Sequence, residues 1–165
     1  QGLLAMLAAE GAIEGMSAED VEAQVATAIP QTRVLGIATD LKYDEKGGRV
    51  PAWVKMAADV LRINPVLAAS SEGSVGVGGL HFGRGADPVQ LAQTVTGKMQ
   101  GDTMYRVLIS HANNEEGARR LRHEILERHA RIHSCHITDA GPALGAHFGP
   151  GGLIAGFTPN PDELK

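Results

Sequence analysis

Tyr105-Arg-Val-Leu-Ile-Ser110, then Asn114 through His129, then Arg131-Ile-His-Ser-Cys-His-Ile137 follow one another almost without a break, and their reading decides the fold. The first is a short run with Tyr, Val and Ile, the length and composition of a buried strand. The second is the strongest helical pattern in the chain. Its Leu121, Ile125 and Leu126 are predicted to face a core, while Arg and Glu fill the other side. The third alternates with period two, as a strand does. A strand, a long helix and a strand in succession predict a sheet with helices packed on it.

Working outward gives the remaining elements. Leu3, Leu4, Leu7, Ala8 and Ile13 form a helical stripe that Gly15 ends. Ser17 followed by Asp20 has the spacing of a capping box, and Val21, Val25 and Ile29 carry that second helix to Pro30. Arg33-Val-Leu-Gly-Ile-Ala38 reads as a strand, Lys46-Gly-Gly-Arg49 as a loop, and Ala52 to Leu61 as a helix. Two strands, Ile63 to Ala69 and Gly73 to Leu80, flank a turn at Ser70-Ser-Glu-Gly73. Pro65 predicts an edge position, or a strand start, for the first of them. A helix over Pro88–Met99, a short helix at Gly141–His147 and a last strand at Gly152–Phe157 complete the pattern. The expected class is α/β, or α+β, with a mixed or antiparallel sheet flanked by helices.

Composition narrows the function. Fifteen basic against nineteen acidic side chains give a net charge of -4, without the basic patch of a nucleic-acid binder. No apolar run reaches the ~18 residues of a membrane span. One cysteine, Cys135, excludes an internal disulfide and suits a reducing cytoplasm. It is expected to be a buried structural thiol. The chain lacks an initiator Met and opens inside a helical pattern, so it is expected to begin partway along a longer protein.

His123-Glu124 lacks the second histidine that a zinc-protease helix needs, since Glu127 stands in its place. His129 and His133 are four apart, but the helix ends near Ala130. The histidines at that end are therefore expected to be solvated, and no metal site is predicted. Gly76-Val-Gly-Gly79 lacks the context of a dinucleotide loop; its glycines are expected to relieve crowding or mark a bulge. Two loops stay open. Gly47 and Gly48 before Arg49 make either a plain turn or a backbone that aims a permanent cation at an anion. Gly145-Ala-His147-Phe-Gly149-Pro150-Gly151-Gly152 is either a tight helix-to-strand connection or a loop presenting one imidazole to an oxyanion.

In order along the chain, several segments resemble the C-terminal part of the DegV family of bacterial fatty-acid-binding proteins. They are Thr39-Asp-Leu41-Lys42-Tyr43 leading into Lys46-Gly-Gly-Arg49-Val50, Ile63-Asn-Pro65, the helix opening His111-Ala-Asn-Asn-Glu-Glu-Gly-Ala118, and Gly145-Ala-His147-Phe-Gly149-Pro150-Gly151-Gly152-Leu153. The resemblance implies two α/β domains clamping a long-chain fatty acid. Residues 1–30 would be a helical segment belonging to, or linking from, a missing N-terminal domain, and 31–165 the lipid-binding C-terminal domain. It implies a carrier, with no catalytic residue and no cofactor, that presents the acid to an ATP-dependent fatty acid kinase. By motif position His147 and Arg49 would meet the head group, supported by Gly47, Gly48, Gly149, Pro150 and Gly151. The chain departs from the family at Val50-Pro51, where a small aliphatic residue and Ser are usual, and at Gly152, where Ala is common and the change reads as mild. Rival expectations are the tail of a dihydroxyacetone-kinase-like fusion and an interaction module without ligand.

Overall fold

The computed structural model describes residues 1–39, 63–70, 74–83 and 85–164. The Lys46–Arg49 loop, the helix expected over 52–61 and most of the turn at 70–73 lie outside the described residues. Five α-helices and six strands are described: α1 (Gly2–Ile13), α2 (Ala18–Ala28), β1 (Arg33–Ile37), β2 (Ile63–Ala69), β3 (Val75–Phe82), α3 (Pro88–Thr96), β4 (Tyr105–His111), α4 (Glu115–Arg128), β5 (Ile132–Asp139), α5 (Gly141–Phe148) and β6 (Leu153–Pro159). The strands form one sheet in the order β3-β2-β1-β6-β4-β5. Only β4 and β5 run parallel; every other neighbouring pair is antiparallel. A parallel pair needs a crossover of a dozen or more residues, and α4 supplies it. The predicted mixed sheet flanked by helices is therefore the observed architecture.

The main core lies between the sheet and α3 with α4. Leu91 and Val95 of α3 and Ala118, Leu121 and Ile125 of α4 cover Leu35, Ile37, Val66, Val107, Ile109, Leu153, Ala155 and Phe157. Strand β4 is covered on its other face by α1, where Gly2 approaches Leu108 so closely that a Cβ would stand 2.8 Å from its Cδ2. Burial on both faces explains the nearly continuous apolar run of β4. The exception on the α1 side is Arg106, which is buried. Its Nε donates to Asn160 Oδ1 at 2.7 Å, and it pairs with Glu10 of α1. A buried guanidinium is tolerable only when so partnered.

Helix starts follow the sequence signals. Ser17 caps α2 by accepting from Asp20 N at 3.1 Å, and Asn114 caps α4 by accepting from Gly117 N at 3.1 Å. Exposed pairs Glu115–Arg119 and Glu124–Arg128 run along α4, each adding only ~0.3–0.5 kcal/mol. In β3 the register to β2 slips between Val66 and Leu67, leaving Gly78 as the extra residue. A Cβ there would lie 2.6 Å from Ala68 Cβ, so the glycine relieves crowding at a bulge, as predicted.

Several expectations need correcting. Pro65 is not on an edge strand, because β2 lies between β3 and β1. Pairing with β1 begins at Val66, opposite Ile37, so the proline sits just beyond that ladder and leaves no gap in it. Ile13 is 84% exposed; it falls six residues after buried Leu7, well off the same helical face. Leu126 is 41% exposed for a similar reason, one step around from the Ala118–Leu121–Ile125 stripe. Helix α3 ends at Thr96 rather than Met99. His129 is buried, not solvated. Its Nε2 lies 3.2 Å from Gln100 O, its Nδ1 accepts from Arg131 N at 3.3 Å, and its ring packs edge-on against Tyr105.

The α3 side of β3 holds one titratable group with a predictable consequence. His81 is buried, with Nε2 2.9 Å from Thr94 Oγ1. The Thr94 hydroxyl donates to Gln90 O, so the imidazole donates from Nε2. Its Nδ1 is buried with no partner among the described residues. Burial pushes the pKa below 6.5, and the nearby Asp87 carboxylate opposes this less strongly. The unfolded chain then takes up the proton first as pH falls. Stability should decline from about the unfolded value of 6.5 down to the lowered folded value, then level off. Melting temperatures of the wild type and His81→Gln at about pH 7.5 and 5.5 check this; the acid-dependent drop should shrink in the variant.

Candidate functional site

The sheet presents one end at which Thr39 follows β1, His111 ends β4, Asp139 ends β5, and the chain enters β6 at Leu153. Helix α5 delivers His147 to this end on its last turn, half-buried. Phe148 anchors the helix. Its ring lies on Gly36 of β1, where a Cβ would stand 2.4 Å from Cε1, so only glycine leaves room for it. Helix α5 then stops. Gly149 N donates to Gly145 O at 2.9 Å, and Gly149 itself has φ +68°, a backbone state suited to glycine.

Gly149-Pro150-Gly151-Gly152 forms a turn tied to three separate elements. Gly151 N donates to Ala112 O at 2.6 Å, and Gly152 O accepts from Ala112 N at 3.0 Å. The Asn114 amide donates to Gly151 O at 2.8 Å, and the Thr39 hydroxyl donates to Pro150 O. Gly151 has φ +92°, and a Cβ on it would stand 2.8 Å from Thr39 Cγ2. At Gly152 a Cβ would meet Phe148 Cβ at 2.7 Å. The difference from alanine at that position is therefore not mild: the turn is wound too tightly for one.

No side-chain hydrogen bond of His147 is formed among the described residues. Its imidazole stands at the end of a fixed turn with its polar capacity unspent. Helix α5 points its C-terminal, partially negative end here, so the helix itself offers an anion no attraction. Gly149, Pro150 and Gly151 form the turn that follows His147. Arg49, Gly47 and Gly48 lie outside the described residues.

An apolar strip that the sequence did not reveal leads away from Phe148. The registers place Gly36 opposite Leu67, Leu67 opposite Val77, Pro65 opposite Leu80 and Ile63 opposite Phe82. These pairs share the sheet face opposite α3, because residues directly across strands lie on one face. Val77, Leu80 and Phe82 are exposed there. Strand β3 alone carries too many glycines to show period two, and the bulge at Gly78 shifts its phase.

A groove of about 950 Å³ lies elsewhere, between α4 and β5. His111, Arg119, Arg122, His133, His136 and Asp139 line it, and Cys135 contributes to its wall. So polar a lining is unsuited to a hydrocarbon ligand. Burial pushes the Cys135 thiol up to about 11, against a weaker pull from Arg122, so it is not a thiolate at neutral pH. Among the described residues no group of three or more acidic, His or Cys side chains is arranged to hold a metal ion. No described helix is long and apolar enough to cross a membrane.

The family model for uncharacterised proteins of the DegV family matches residues 1–159. A DegV domain-containing protein of Clostridium acetobutylicum is 29% identical over 162 residues, covering 95% of this chain and 54% of that protein. This chain therefore spans about half the length of the curated relatives it matches. A fatty-acid-binding DegV family protein of Streptococcus agalactiae superposes with a TM-score of 0.77 at 24% identity, over 96% of this chain and 56% of that one. The Fatty Acid Kinase B3 protein of Streptococcus pneumoniae, loaded with linoleic acid, superposes with a TM-score of 0.78 at 21% identity, over 96% and 55%.

Proposed function

This chain belongs to the DegV family, and from that membership we propose that it forms one wall of a fatty-acid site and serves a carrier rather than an enzyme. The second wall would be an N-terminal domain, with residues 1–30 belonging to or linking from it and residues 31–165 forming the lipid-binding unit. The observation that carries the reading is His147: a half-buried imidazole, without a hydrogen bond among the described residues, on a turn held rigid by its neighbours. A carboxylate leaving water needs such a partner, because an unpaired buried charge is prohibitive. Arg49 joins it in the proposal on motif position alone. The hydrocarbon tail is assigned to the strip from Phe148 and Leu67 towards Leu80 and Phe82, on the sheet face that Phe148 covers. Burial of ~0.8 kcal/mol per methylene makes that tail the main source of affinity.

Relatives in the comparison hold linoleic or heptadecanoic acid, and one is named as a fatty acid kinase B protein. These support a long-chain fatty acid as ligand; an ATP-dependent fatty acid kinase as partner and a place in the cytoplasm are part of the same proposal. An acyl phosphate would place more negative charge at the same imidazole and guanidinium. The direct test is native mass spectrometry of the complete gene product purified without added lipid. A co-purified mass matching a fatty acid is expected. Protein that arrives empty and gains no mass on titration with palmitic or oleic acid overturns the proposal.

A further inference from the structure

The turn beside His147 uses two side chains whose chemistry exceeds what their own local structure requires. Asn114 is the N-cap of α4, and a cap needs only an acceptor; Ser, Thr or Asp supplies one as well. Here the carboxamide is engaged at both ends. Its Oδ1 accepts from Gly117 N at 3.1 Å while its Nδ2 donates to Gly151 O at 2.8 Å. The donor half serves the turn, not the helix. Thr39 stands just past the end of β1, exposed, where nothing in the strand calls for a hydroxyl. Its Oγ1 nevertheless donates to Pro150 O, and its methyl occupies the space that a Cβ on Gly151 would need. Two successive carbonyls, Pro150 and Gly151, are thus held from two sides by residues far away in sequence.

A second tether fixes Thr39 in turn. Asn64 of β2, buried, donates from Nδ2 to Ala38 O at 2.9 Å and to Gly85 O at 2.9 Å. The chain just past β1 is therefore anchored through the Ala38 carbonyl before it reaches the turn. Beyond the turn, Gly152 bonds Ala112 and Phe148 is locked over Gly36, so the last turn of α5 has little freedom left. Slackening the Pro150 and Gly151 carbonyls would release the C-terminal end of α5, where His147 sits.

We infer that Thr39 and Asn114 are positioning residues for His147, fixing through the Pro150 and Gly151 carbonyls the direction in which the imidazole meets a carboxylate. The inference rests on the fatty-acid reading above, and its test separates the two. The variants are Thr39→Val, which keeps shape and loses the hydroxyl, Asn114→Asp, which keeps the cap and loses the donor, and Thr39→Ser, which keeps the hydroxyl. Each is made in the complete gene product and titrated with palmitic acid and with methyl palmitate, which has the same tail and no charge.

Thr39→Val and Asn114→Asp should each weaken palmitic acid roughly fivefold to tenfold, the weight of about one net hydrogen bond. Methyl palmitate should stay within about twofold, Thr39→Ser should bind as the wild type does, and melting temperatures should fall by no more than about 5 °C, the weight of one hydrogen bond. Equal losses for acid and ester would mean general damage and overturn the inference. Unchanged acid binding in both variants, alongside a loss in His147→Ala, overturns it while leaving the fatty-acid reading intact. If the wild type binds neither ligand, the fatty-acid reading fails, and the His147 ring resonances of the ligand-free protein decide. They should shift in Thr39→Val and Asn114→Asp, and unshifted resonances overturn the positioning role.

Discussion

Removing both proposed head-group partners, as His147→Ala with Arg49→Ala in the complete gene product, is expected to weaken fatty-acid binding by at least about a hundredfold. The magnitude follows from what the two groups do. The tail gains on the order of 10 kcal/mol of gross burial, and the double variant leaves that untouched. What changes is the fate of the carboxylate, which loses its partners while still leaving water. Truncating one side of a desolvated, hydrogen-bonded charge pair costs about 2–5 kcal/mol, much of it the penalty on the group left behind. No compensation comes from α5, whose C-terminal end faces this region. His147→Ala alone should cost roughly tenfold, because the guanidinium still neutralises the charge. Isothermal titration with oleic acid reads both, and a double variant within about threefold of the wild type would refute the head-group assignment.

Phe157→Ala is expected to cost about 3–5 kcal/mol of folding stability. Phe157 is 1% exposed at the centre of the sheet, on the face that α3 and α4 cover. Its ring packs edge-on against Tyr105, with centroids 5.8 Å apart at 75°. Its strand β6 lies between β1 and β4, so the cavity opens where neighbours on both sides are fixed by ladders and cannot collapse inward. The denaturation midpoint should fall with the slope unchanged, and the melting temperature by on the order of 10 °C. Ile13→Ser is the control, since that side chain is 84% exposed and should move neither quantity appreciably. A loss below ~1 kcal/mol for Phe157→Ala would mean that the core tolerates the void.

The strands and helices were largely legible because each carries its own period. Tyr105–His111 is apolar on both sides because it is buried on both, and Ser17 and Asn114 marked helix starts that the structure keeps. Side-chain placement within an element was less legible. Leu126 and Ile13 are apolar residues one step or more off the buried stripe, and composition does not separate them from Leu121 or Leu7. Pro65 pointed to an edge or to a strand start, yet strand order depends on pairings across the whole chain, and a proline just outside a ladder costs that ladder nothing. The His147 turn was visible as glycine and proline, but its grip was not. Thr39 follows the strand read over 33–38 and Asn114 opens the helix read over 114–129, and the bonds they make to the turn exist only once the sheet brings those ends together.

The pairing of β1 with β6, in which Arg33 lies opposite Phe157, also bears on how the polypeptide is made. The two strands flank the middle of the sheet, so within it β1–β2–β3 on one side and β4–β5 on the other are joined by β6, which follows all of them in the chain. During translation at about 5–20 residues per second, the first hairpin waits several seconds for its seam. Until then β1 exposes an open ladder along the edge that β6 will fill. Such distant closure is slow and prone to aggregation. Truncations that remove β6 should therefore yield nascent chains that depend on chaperones rather than a smaller stable domain.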